Sequence, residues 1–365
     1  MTPWRLITES GVSASFGLAA DEYLLGSVAR GGVPALRLYT YRSHVALVGR
    51  FQNIEAELRL HECRRIGAEI SRRPTGGGAI IMGEDQLGLA LVIPPDGDHA
   101  DASPADLFPR YAAPVIDALR TFGVEAAFRP KNDVEVAGKK IAGLGVYIDD
   151  DGTLLFHAST LVDLDVRLML SLLNITQEKI SDKHIATFEE RLTTVRRAAG
   201  RAVAVDDVRA AVAASFERAF GLTLEPQPFT GVELRAIGEL EAERYANAEW
   251  IFARTPPPDA TGASIRKTDA GLLRVYVALA GDVIKSALIT GDFFGDNRAL
   301  PDLEARLKWS EASPAAIAAA VAAASVDPAT APVWNLDPEL LAGAIVAAVE
   351  DARSRAGAGR TAAGV

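Results

Sequence analysis

Apolar positions recur at helical spacing from Phe16 to Arg30 (FGLAADEYLLGSVAR), and the pair Gly31-Gly32 then ends the pattern. Strand-like segments follow. LRLYTY (Leu36 to Tyr41) and HVALVGR (His44 to Arg50) are short, rich in aromatic and β-branched residues and separated by a polar turn, which predicts a hairpin. IEAELRLHECRRIG reads as one amphipathic stretch, LGLALVIP (Leu87 to Pro94) as a buried strand, and SPADLFPRYAAPVIDALRTFG as a capped helix with Leu107, Tyr111, Val115 and Leu119 four apart. The clearest turn, Asp149-Asp150-Asp151-Gly152, joins two apolar runs and predicts a long hairpin of Lys140 to Ile148 with Thr153 to Leu161. Residues 165 to 225 are mostly helical in pattern. Three prolines in AEWIFARTPPPD mark a boundary, after which LLRVYVALAGDVIKSALITGDFF predicts a second hairpin with a Gly281-Asp282 turn. Two alanine-rich helices close the chain, and its last ten residues read as frayed. The pattern is therefore α+β, a mixed or antiparallel sheet with helices over 1–245, a smaller α+β domain over 246–352 and a flexible tail over 353–365.

Length and composition narrow the function. A chain of 365 residues with 49% hydrophobic and 24% charged residues builds a full core without staples. Its net charge of −10 argues against general attraction to nucleic acid or an anionic membrane, so a positive site must be local. One cysteine, Cys63, excludes an intrachain disulfide and a multi-cysteine metal site. The N-terminus lacks signal-peptide order and no run reaches a membrane span, so a soluble, cytoplasmic protein is expected.

Two clusters carry candidate chemistry. In SRRPTGGGAIIMG, Arg72 and Arg73 precede Gly76-Gly77-Gly78; glycine admits φ > 0 and lets backbone N–H groups converge on an anion. A tight turn or bulge with solvated arginines explains the same residues equally well, and neither GxxxxGK[ST] nor a strand-following GxGxxG is present. In KNDVEVAGKKIAG, Asn132, Asp133, Lys139 and Lys140 flank a short apolar strand. Alternation sends the two lysines to opposite faces, so one can face inward.

Together RRPTGGGAI, KNDVEVAGKKIAG and LLFHASTLVDLD resemble the lipoate–protein ligase family, related to biotin protein ligases and octanoyltransferases. GLAADEYLL, GRFQN, KHIATFEERLTTV and the AEWIFARTP…LITGDFF region extend the likeness over about residues 15 to 345, the last resembling the family's small accessory domain. The resemblance implies a biotin/lipoate-ligase type of fold. It also implies activation of lipoate by ATP to lipoyl-adenylate and transfer to a carrier lysine, with ATP and Mg²⁺ as cofactors. Lys140 would stabilise developing charge in both steps, and Gly76, Gly77, Gly78 and their motif neighbours Thr75 and Ala79 would cradle the adenylate. Arg72 and Arg73 would brace the loop or contact anions, Asn132 and Asp133 would orient phosphate with Asp133 on the metal, and Gly143 and His157 would line the pocket. The carriers implied are glycine-cleavage H-like proteins, 2-oxoacid dehydrogenase acyltransferase domains, or lipoate-binding proteins of sulfur oxidation. An ATP-independent octanoyl or lipoyl transferase and a non-catalytic lipoyl binder are the alternatives. The accessory domain favours the ligase, and Cys63, away from every matched motif, argues against the thiolate chemistry of cysteine-dependent octanoyltransferases. After the glycines Met82-Gly83 and Asp85-Gln86 stand where the family text has His-Asp and Gly-Asn.

Overall fold

The computed structural model describes residues 3–94, 104–149, 151–174, 190–326 and 331–362. Contacts divide the chain into two compact units. The first comprises Met1–Leu47, Glu57–Thr75 and Ala79–Ile251, and the second Val48–Ala56, Gly76–Gly78 and Phe252–Val365.

The strands are β1 (Trp4–Val12), β2 (Ala35–Tyr41), β3 (Val45–Val48), β4 (Glu69–Arg72), β5 (Ile80–Met82), β6 (Gln86–Ile93), β7 (Ala127–Arg129), β8 (Asp133–Val136), β9 (Lys139–Ile148), β10 (Leu154–Leu161), β11 (Leu224–Pro226), β12 (Gly262–Lys267), β13 (Leu272–Ala280) and β14 (Val283–Gly291). In the first unit an eight-stranded mixed sheet runs β11-β1-β2-β6-β10-β9-β8-β7, and a small sheet runs β4-β3-β5. The β9–β10 hairpin forms as the sequence predicts, with Gly152 at φ +80° in its turn; Asp150 lies outside the described residues. The helix Pro104–Arg120 buries Leu107, Tyr111, Val115 and Leu119, each worth about 1.5–3 kcal/mol of transfer free energy. Its expected cap, Ser103, lies outside the described residues. Ser13 caps the helix Ala14–Ala29 by accepting from the Phe16 amide. Among the described residues no helix is long and apolar enough to cross a membrane.

Two local expectations fail. The segments Leu36–Tyr41 and His44–Arg50 do not pair with each other: β2 lies between β1 and β6, while β3 lies between β4 and β5. Every residue of both strands is buried, so neither shows the alternation that would have revealed its partner. Instead of closing a turn, the Arg42 amide donates to Val12 O and its guanidinium pairs with Glu69 at 2.8 Å. The stretch after Asn53 also breaks into the helices Ile54–Glu57 and Leu60–Ile66, because Leu58 bridges to Leu173 and the Arg59 amide donates to Leu172 O.

In the second unit β12-β13-β14 form an antiparallel sheet, with β13 and β14 paired as the sequence predicts. Leu273, Val275, Val277 and Ile289 from the sheet pack with Leu300, Leu303 and Leu307 of the helix Ala299–Leu307 and with Ile345 and Val349 of the helix Pro338–Ala362. That last helix continues to Ala362, through most of the residues the sequence marks as tail.

Candidate active site

One face of the large sheet is built from small residues. Cross-strand pairs place a residue and its partner on the same face, so the register lines up Tyr39 (β2), Gly88 (β6), Ser159 (β10), Gly143 (β9) and Asp133 (β8) in a single row. The adjacent row holds Arg37, Ala90, His157 and Gly145. A large neighbour lies over each glycine. A Cβ on Gly88 would stand 2.6 Å from the Tyr39 ring, one on Gly145 2.2 Å from His157 Nε2, and one on Gly143 3.1 Å from Lys140 Nζ.

Strict alternation would send Lys140 to the opposite face from Gly143. A β-bulge prevents this: Val134 pairs with Ala142 but Glu135 pairs with Lys140, leaving Ile141 as an extra residue on β9. Ile141 and Ala142 are both fully buried, and Lys140 returns to the face of Gly143 and Asp133. Its backbone is held as well, with Lys140 N donating to Arg191 O and Thr193 N donating to Lys140 O, both at 2.9 Å. The Lys140 ammonium sits 2.7 Å from Asp133 Oδ1, with a third of the lysine side chain exposed. Asn132 fastens the turn before β8, its Nδ2 donating to Leu144 O at 2.9 Å while its own carbonyl accepts from Leu144 N at 2.8 Å.

A second cluster joins Arg73, Thr75 and His157. Arg73 Nε donates to Thr75 Oγ1 at 3.1 Å, its Nη1 donates to Leu47 O at 3.2 Å, and Thr75 Oγ1 lies 2.7 Å from His157 Nε2. Burial pushes the Arg73 pKa down to about 10, and burial followed by the Arg73 charge pushes His157 down to about 3, so the imidazole is neutral. Arg72 is fully buried and donates to the carbonyls of Trp250 and Ile251 at 2.9–3.2 Å, while Trp250 Nε1 donates back to Arg72 O. Those bonds fasten Arg72 to the Trp250–Ile251 segment.

The glycine triplet belongs to the second unit, and glycine there answers a packing demand. A Cβ on Gly76 would stand 2.4 Å from Phe293 O, and one on Gly49 2.1 Å from Gly77 O. Gly77, at φ +88°, donates its N–H to Phe293 O at 2.9 Å, and Phe293 stacks on Phe51 with centroids 5.1 Å apart. Ala79 leads from the triplet into β5 and is half-buried.

The Asp133 carboxylate pairs with Lys140, and among the described residues no three His, Cys, Asp or Glu side chains gather into a preformed metal site. The residues that replace the family's His-Asp and Gly-Asn have packing roles. Met82 is in the core with Val45 and Leu47, and Gln86 Nε2 donates to Asp163 O at 2.7 Å. Cys63 is buried in the helix Leu60–Ile66, and burial raises its thiol pKa. His99, His184 and most of KHIATFEERLTTV lie outside the described residues.

Residue-type reasoning gave no role to Ser159, Gly145, Gly88 or the bulge at Ile141. Ser159 falls inside the motif LLFHASTLVDLD and Gly145 in the Gly-x-Gly of GLGVY, and the two become meaningful once β10 is laid beside β9.

The lipoyl protein ligase A/B catalytic domain model matches residues 13–217. The octanoyltransferase LipM of Geobacillus kaustophilus is 26% identical over 275 residues, 69% of this chain and 98% of that protein. That of Symbiobacterium thermophilum is 30% identical over 275 residues, 68% of this chain and 98% of its own. Among solved structures, the bipartite lipoate protein ligase with its E2 lipoyl domain from Thermoplasma acidophilum is 27% identical, with a TM-score of 0.62 over 69% of this chain and 97% of that one. The two LipM relatives correct the expectation of ATP-dependent ligation, because they are octanoyltransferases, which act without ATP. An α+β enzyme fold with a glycine-floored face carrying Lys140, joined to the family match over more than half its length, makes this chain a member of the lipoyl protein ligase A/B catalytic-domain family, within the biotin/lipoate ligase superfamily.

Proposed function

We propose that the protein is an ATP-independent acyltransferase that moves an octanoyl or lipoyl group from an activated donor to a lysine of a lipoyl-type carrier domain. The observation that carries this reading is the likeness to octanoyltransferases along 98% of their length, which includes the Lys140 region inside the family match. An amide does not form from a free carboxylate without activation, so a donor used without ATP is itself activated, and a thioester meets that need.

The chain's own residues do the rest. The carrier amine attacks the thioester carbonyl carbon, the π pair moves to oxygen, and the Lys140 ammonium stabilises that negative charge. The intermediate collapses as the thiolate leaves; the nitrogen gives up one proton and the thiolate gains one. No enzyme thiolate takes part, because Cys63 is buried with a raised pKa. His157 is held neutral against Thr75 and shapes the wall rather than moving protons at neutral pH. The E2 lipoyl domain that accompanies the Thermoplasma acidophilum ligase supports a lipoyl domain as acceptor.

The test is carrier mass after incubation with octanoyl-coenzyme A or an octanoylated carrier protein and an apo-lipoyl domain, with and without ATP and Mg²⁺. The expected outcome is one octanoyl group added per domain without ATP. Modification that requires ATP and a free acid would overturn the proposal.

A further inference from the structure

Gly143 poses a question that its backbone does not answer. Its φ is not positive, so chain conformation does not call for glycine there, in contrast to Gly138 and Gly152 in the flanking turns, at φ +77° and +80°. What the missing side chain leaves is a small space on the functional face. The point where a Cβ would stand lies 3.1 Å from Lys140 Nζ and 3.5 Å from Ser159 Oγ. Asp133, Gly143 and Ser159 share one cross-strand row, so the ammonium and the hydroxyl flank that point from the two neighbouring strands β9 and β10.

We propose that Ser159 is a second catalytic residue, whose hydroxyl joins the Lys140 ammonium in an oxyanion site floored by Gly143. The proposal rests on the acyl-transfer reading above and deepens it. Oxyanion stabilisation works when donors already stand where charge will develop, a little under or about 3 Å from the oxygen. A carbonyl oxygen placed over Gly143 meets a charged donor on one side and a neutral one on the other. Ser159 is available for this work: it is half-buried rather than enclosed, and its bond to Gly143 O is 3.5 Å long, at the outer limit for a hydrogen bond. When the carrier amine adds to the thioester carbonyl, the electron pair displaced onto oxygen is shared between Nζ–H and Oγ–H. When the thiolate leaves, that pair returns to re-form the carbonyl. Ser159 keeps its proton throughout and forms no covalent bond to the acyl group.

The experiment is steady-state transfer of octanoyl from octanoyl-coenzyme A to an apo-lipoyl domain by the full chain, with kcat and KM separated. Ser159→Ala is expected to lower kcat by about 10²-fold with KM little changed, the signature of an interaction made only in the transition state. Ser159→Thr, which keeps the hydroxyl, is expected to recover most of that loss. Gly143→Ala fills the space and is expected to lower kcat at least as much, with an unchanged far-ultraviolet circular dichroism spectrum as the check on folding. A Ser159→Ala enzyme with wild-type kcat, or a Ser159→Thr enzyme no better than the alanine variant, overturns the assignment. A wild-type enzyme that transfers nothing without ATP overturns instead the acyl-transfer reading on which it rests.

Discussion

Two cation–carboxylate clusters sit on the same sheet and have opposite fates. On β2, Arg37 is fully buried, its Nε donating to Glu9 at 2.6 Å and its Nη1 to Asp21 at 2.7 Å and to Gly17 O at 2.9 Å, with its guanidinium 4.1 Å above the Tyr39 ring. On β9, Lys140 meets Asp133 at 2.7 Å but keeps a third of its side chain exposed. Burial decides the difference. Desolvation pushes the Asp21 pKa up to about 6 against the pull of Arg37, so this cluster joins the helix Ala14–Ala29 to the sheet and can be disturbed only at large cost. The half-buried pair is less enclosed than the Arg37 cluster, which leaves Lys140 the more able of the two cations to turn toward a substrate carbonyl.

The sharpest way to break that comparison is to exchange the outcomes. Lys140→Ala is expected to reduce acyl transfer by at least about 10³-fold, the upper end for loss of an oxyanion donor, while the melting temperature stays close to wild type. Transfer assays and a thermal melt on one preparation check it; near-normal transfer would remove Lys140 from the chemistry. Arg37→Met should do the reverse. It leaves Glu9 and Asp21 without their cation and is expected to cost about 3–5 kcal/mol in urea unfolding, with transfer per folded molecule retained. The smallest effect concerns His157. Its folded pKa of about 3 is below the ordinary histidine value of 6.5, so between those values the unfolded chain binds the extra proton. Stability from this group is present above pH 6.5 and declines as pH falls toward 3. Urea midpoints across that window should fall less steeply with acidification in His157→Gln than in wild type.

The two regions also differ in how far they could be read in advance. The helix at Phe16–Arg30, both long hairpins and the buried strand Leu87–Pro94 were legible because each carries its own period and its own turn. Lys140 and Asp133 were legible as charges around an apolar strand, and the structure brings them together. The β2–β3 hairpin was misread because two wholly buried strands carry no sign of which neighbour they pair with. The glycine triplet is legible for its backbone freedom, and Gly77 takes φ +88°; the close approach of the Phe293 carbonyl to Gly76 is a second demand for glycine that only the structure shows.

Local pattern determined the elements, their order and the residue types available for chemistry, because periodicity and turn preference act over a few residues of chain. Tertiary structure alone decided which face Lys140 occupies, through one extra residue at Ile141, and which hydroxyl stands across from it. Those outcomes depend on register between strands distant in sequence, and a shift of one residue there moves a side chain to the other side of the sheet.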